Sequence, residues 1–296
     1  MPKKIQTSFK NEHKASYLAR DIAQHFNRGQ AIEAKIETVL NSLREVTDAR
    51  NLQNLDTQKV EAFIATLQDR VEAGDLSRHT AESYVSALNR IIEYTNEHLN
   101  RDLQVVSPSE FGLSRGSFEY TDRSVSEGTH NAFISFLQEK GDIQSQALQH
   151  SVKLQREFGL RLRESIGLKQ ETIREALQTG VLHLDRNDCT KNGRPRDIPI
   201  IHESQREALQ NTLNFQKENG LRSLAPTETP TETLKEQYCF AKNMASEFNQ
   251  KHDQYFHFHG ERHAYAQERL SAGATREEIA KELGHNREEV TKVYVK

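Results

Sequence analysis

The chain has 296 residues, 28% of them charged and 35% hydrophobic, a length that suits one large or two ordinary domains. No stretch approaches the ~18 apolar residues of a membrane span, and the basic amino terminus lacks the apolar run of a secretory signal, so no membrane association and a cytoplasmic location are expected. A formal charge of −3 does not announce a nucleic-acid binder, and two cysteines, Cys189 and Cys239, are too few for a disulfide framework.

Along the chain, helices are expected first from Lys14 to Phe26 and from Ala31 to Leu43. Asp56 or Thr57 can cap a third, in which Val60, Phe63, Ile64, Leu67 and Val71 recur at helical spacing before Gly74. A fourth starts at Ser77 and lines up Tyr84, Leu88, Ile91 and Ile92. Together they read as a helical domain over residues 1–104. Pro108, Gly112 and Gly116 then break the periodicity, which marks 105–122 as a linker and 123–296 as a second domain. In the second domain one helix starts at Ser126 and another, with Leu148, Val152 and Phe158, stops at Gly159. Val181 to Leu184 and Asp197 to Ile200 read as a hairpin turning at Asn192-Gly193, its return strand an edge because of Pro195 and Pro199. Helix resumes at Glu203, a Pro/Thr-rich loop spans Ala225 to Thr233, and four helical segments follow: Leu234 to Asn249, His259 to Ser271, Thr275 to Leu283, and Asn286 onward. Thr275 with Glu278, and Asn286 with Glu289, have capping-box spacing. The fold class expected is mostly α with a small β-hairpin.

Positive charge is concentrated locally. Residues 1–30 hold six basic side chains against two acidic ones, and residues 151–200 hold ten against seven. No phosphate-binding glycine loop or dinucleotide fingerprint is present, so no nucleotide cofactor is expected. The C-terminal third carries His259-Gly-Glu-Arg262-His263; His285 follows Arg262 by 23 residues, and Tyr294 follows His285 by nine.

These residues and both intervals resemble the tyrosine recombinase, or phage integrase, family of DNA breaking and rejoining enzymes. Gly159-Leu-Arg161-Leu-Arg163-Glu164-Ser165 resembles its first arginine box, Thr190 to Ile200 its hairpin lysine segment, and Ser77, Thr80 and Tyr84 part of its helical core-binding domain. The resemblance implies a core-binding domain followed by a catalytic domain, the two clamping a DNA duplex. Strands would be cut and rejoined through a covalent 3′-phosphotyrosine, without metal or ATP. Tyr294 would be the nucleophile, with Arg161, Arg262, His259 and His285 as donors to the phosphate and Lys191 as the acid for the leaving 5′ oxygen. Glu164 would hold Arg161, and His263 would pack beside the site. Arg78 and His79, at a helix start, and Arg194 and Arg196, beside Lys191, are candidate DNA contacts. The implied partners are double-stranded DNA, three further copies in a homotetrameric synapse, and accessory DNA-bending proteins.

The chemistry suits these residue types. Attack on a phosphodiester builds negative charge on its nonbridging oxygens, and planar guanidinium groups that stay charged are fixed donors for it. A phenol makes a covalent intermediate that reverses readily, so the bond energy is kept for rejoining. One departure from the family pattern is Glu261, in place of the usual apolar residue before the second arginine; it either faces elsewhere or pairs with a neighbouring cation. That departure leaves open a DNA-binding regulator with the recombinase fold and no cleavage. A type IB topoisomerase-like enzyme shares the chemistry. The run His252, His257, His259, His263 suggests zinc, but no cysteine or carboxylate at ligand spacing completes the set.

Overall fold

The computed structural model of the chain describes residues 6–116, 120, 122–190, 193–226, 233–285 and 288–295. It divides into two units, Met1–Ser117 and Phe118–Lys296, each with its own apolar core. In the first, α1 (Glu12–His25), α2 (Gln30–Val46), α3 (Thr57–Glu72) and α4 (Arg78–Leu99) pack around Leu18, Ile22, Leu40, Phe63, Leu88 and Ile91. Three of the four helices begin where the sequence supplies a cap, Asn11, Asp56 and Ser77 accepting from the backbone N–H groups of Lys14, Lys59 and Thr80; Gly29, before α2, offers no side chain for this. Asn100, at φ 50°, ends α4 in the left-handed region. Part of the segment read as a linker belongs to this core: Val106 and Leu113 are buried, and the Asn89 amide bonds both backbone groups of Val106 at 2.8 Å.

The second unit contains α5 (Glu127–Lys140), α6 (Ile143–Phe158), α7 (Leu162–Gly167), α8 (Gln170–Thr179), β1 (Val181–Leu184), β2 (Arg196–Pro199), α9 (Glu203–Glu218), α10 (Thr233–Lys251), α11 (Phe258–Ser271), α12 (Arg276–Glu282) and α13 (Glu288–Thr291). The strands pair antiparallel, from Val181 opposite Pro199 to Leu184 opposite Arg196. With only one partner strand among the described residues, Pro199 costs the ladder nothing. One apolar cluster gathers α6, α8, the two strands, α9, α11 and α12; a second, rich in phenylalanine, gathers α5 and α10.

Three expectations need correction. The connection between the strands, 185–195, contains a 3-10 turn at Arg186–Asp188 that was not expected; Gly193 of the expected Asn192-Gly193 turn takes φ 66°, and Asn192 lies outside the described residues. Two helices, α7 and α8, were not expected. The last helix is a single turn, and its expected cap, Asn286, also lies outside the described residues.

Candidate active site

The site starts at the end of α6, where Gly159 takes φ 60° and a β-carbon would lie 2.5 Å from the Tyr265 ring. Glycine is therefore required for both its conformation and its clearance. The chain then turns into α7 with Arg161 at the N-cap. Glu164, three residues on, reaches back to the Arg161 backbone N–H at 2.7 Å and accepts from its guanidinium Nη1 at 2.8 Å. Glu164 is fully buried. Burial opposes its ionisation, but hydrogen bonds from Arg196 and the charges of Arg196, Arg161 and Arg262 prevail and hold it at about 2.

One face of α11 supplies His259, Arg262 and His263, spaced so that they stand together. Arg262 has no exposed surface. It donates to the carbonyl of Gly159 at 2.5 Å and to that of Leu283, and its Nη2 lies 3.2 Å from His285 Nε2. Burial and the neighbouring Arg161 push it down to about 9, which still leaves it charged at neutral pH. Because a guanidinium can only donate, His285 Nε2 is the acceptor; its Nδ1 then carries the proton and faces Thr291 Oγ1 at 2.9 Å.

Tyr294 closes the cluster. It is 6% exposed, its ring stacks on His263 at 4.2 Å, and its Oη lies 2.9 Å from His259 Nε2. The Arg262 carbon Cζ is 6.0 Å from the centre of the Tyr294 ring. Burial and the nearby arginines push His285 down to about 3, and burial with His257 and Arg123 pushes His263 to about 4. His259 is lowered in the same direction by burial and Arg262, although as a residue it is exposed. All three are neutral at pH 7, so His259 Nε2 can accept the phenolic proton.

Beside the cluster lies a cavity of about 550 Å³ whose polar lining includes Arg161, Arg163, Lys242 and His259, with no carboxylate among the described lining residues. Thr190 also lines it; Lys191, the next residue, lies outside the described residues. Lys242 was missed by sequence reasoning because nothing in its spacing distinguishes it from other helix-surface lysines.

The structure thus brings together Arg161, Glu164, His259, Arg262, His263, His285 and Tyr294. Arg78, His79 and Arg194 are exposed, the first two on the first turn of α4. Arg196 is a correction: it was read as a DNA contact, but its side chain is buried and grips Glu164 with Nη1 at 2.9 Å and Nη2 at 2.6 Å. A signal for this was present, since strand alternation puts Arg196 on the same inward face as Ile198. Glu261 is buried and turned from Arg262; it faces His130 at 3.1 Å and Arg156 at 3.4 Å. Among the described residues, the histidine run brings no three ligand atoms together. The one such grouping is His25, Glu97 and His98 in the N-terminal unit, where His25 and Glu97 already pair at 2.9 Å.

The sequence model of the Phage integrase family matches residues 124–296, more than half of the chain. No curated protein matches the chain by sequence. Among solved structures, the integrase of the Tn1549 transposon in complex with transposon right-end DNA is similar over 95% of this chain and 94% of its own, at 15% identity and a TM-score of 0.63. XerH site-specific recombinase bound to its difH substrate matches 97% of this chain and 80% of its own, at 15% identity and a TM-score of 0.61. A lambda integrase dimer bound to a core site matches 98% and 78%, at 14% identity and a TM-score of 0.59. At these identities the structural likeness is one of fold.

Proposed function

Because the chain belongs to the phage integrase family of tyrosine-type recombinases, we propose that it performs site-specific exchange of DNA strands through a covalent 3′-phosphotyrosine at Tyr294. The observation that carries this reading is the convergence of a phenol, a fully buried guanidinium and neutral imidazoles, with Tyr294 Oη against His259 Nε2 at 2.9 Å and Arg262 against His285 at 3.2 Å. Tyr294 Oη attacks phosphorus as its proton passes to His259 Nε2, and the bond from phosphorus to the 5′ oxygen breaks. Lys191 gives the departing oxygen its proton. Charge developing on the nonbridging oxygens is met by Arg161 and Arg262, so the protein's own cations supply what a metal would otherwise supply. The intermediate keeps the energy of the broken bond, and attack by a second 5′ hydroxyl reverses the step with no nucleotide consumed.

Duplex DNA is the substrate, held in part by exposed cations such as Arg163, Lys242 and Arg194, with Arg78 and His79 as further backbone contacts. Exchange between two duplexes calls for four copies at a synapse, with bending proteins as possible accessories, and its setting is the cytoplasm that holds the DNA. No described helix is long and apolar enough to cross a membrane. Glu261, the family departure, is engaged by His130 and Arg156 and leaves the charge of Arg262 intact, which favours an active enzyme over a binding-only regulator.

The test uses a pool of nicked duplexes randomised around the nick. The wild-type chain forms an SDS-resistant adduct at a recurrent sequence, with chelator present, and Tyr294→Phe forms none. Adduct at every sequence would indicate a topoisomerase-like activity; duplex binding without adduct would indicate a regulator.

A further inference from the structure

Arg196 has no part in the steps above, since both its Nη groups are committed to Glu164. We propose that Arg196 is a positioning residue for Arg161, an inference that rests on the strand-exchange reading. The argument is one of charge and geometry. Glu164 is bonded to the Arg161 backbone N–H and to its guanidinium. Taken alone, that carboxylate would orient Arg161 but also cancel its charge, weakening the field at a phosphate. Arg196 grips the same two oxygens as a fork, at 2.9 and 2.6 Å. The Glu164–Arg196 pair is then neutral, and Arg161 is oriented while its positive charge stays available to the phosphate.

The fork also fixes the plane of the carboxylate, so that Oε2 faces the Arg161 amide and Oε1 its Nη1. The stem of Arg196 passes close to Gly284, where a β-carbon would come within 3.0 Å of its Cδ. One side chain thereby joins the strand that follows the Lys191 segment, the first arginine box, and the turn just before His285. A lysine would keep the charge and lose the fork; a methionine would keep much of the volume and lose both.

The experiment measures, on the full chain, single-turnover adduct formation with the duplex recovered from the randomised pool, together with duplex affinity and the melting midpoint. Arg196→Gln is expected to slow adduct formation about 100-fold, with duplex affinity within about threefold of wild type. Arg196→Lys should recover about tenfold of that loss by restoring the charge, and Arg196→Met none. In an Arg161→Ala background, Arg196→Gln should change the rate by less than about threefold, because the group it positions is gone. If Arg196→Gln does not fold, the same comparison is made with Arg196→Lys, whose smaller defect should vanish in that background. A folded Arg196→Gln chain with the wild-type rate, a methionine variant as active as the lysine one, or losses that multiply in the double variant would each overturn the inference. Failure of the wild-type chain to form adduct would overturn the strand-exchange reading and this inference with it; a wild-type adduct with unaffected variants overturns only the inference.

Discussion

Arg262 carries its charge into a place where none of its surface meets water. Two backbone carbonyls and one imidazole take up three of its four Nη N–H donors, while its Nε is buried without a hydrogen-bond partner. The histidines near it stay neutral, first because burial disfavours their charged form and then because a second charge would be repelled. This has a consequence for stability. His150 is pushed down to about 4 by burial and Lys153, alongside His263 at about 4 and His285 at about 3. In the unfolded chain these side chains protonate near 6.5, so between that pH and about 4 the unfolded state binds more protons than the folded one. Stability is therefore present above pH 6.5 and is lost as the pH falls, by at most about 1.4 kcal/mol per pH unit for each histidine. The denaturant midpoint is expected to fall from pH 7 to pH 5, and His150→Gln, outside the site, should lose less over the same interval. Equal midpoints at the two pH values would contradict this.

At the scale of elements, α7 and α10 present Arg163 and Lys242 to the cavity that Arg161 and His259 also line. The Lys242 ammonium is held 5.6 Å from the centres of both the Tyr238 and the Phe258 rings. If both cations meet phosphates, replacing them together with alanine should weaken duplex binding and lower the slope of log affinity against log salt by about 2, with little change in melting; an unchanged slope would remove them from the DNA surface. The long helices were legible because their apolar residues repeat over three or more turns and their caps stand at the ends. The six-residue α7 and ten-residue α8 offered too few turns for a period to emerge. The C-terminal site residues were legible through order and interval. The partners of Glu261 were not, since Arg156 and His130 lie 105 and 131 residues earlier and only the packing of α5, α6 and α11 brings them near.

At the scale of the whole molecule, the three apolar clusters share no residue, one ending at Leu113 and the other two lying beyond it in the second unit. Calorimetry of the full chain should then resolve two transitions. Leu88→Ala, which leaves a cavity in the first core at a cost of about 2–5 kcal/mol, should lower one, and Leu154→Ala should lower the other. A single transition shifted by both would refute the separation. In the second unit, Arg262 is enclosed by the Gly159 and Leu283 carbonyls, His285 and the Tyr294 ring, and only the last is carried by a short terminal stretch, anchored through Thr291 and Val295. Three stretches far apart in the sequence, ending α6, following α12 and carrying Tyr294, thus lean on one side chain. Shortening that side chain would take away the support they have in common.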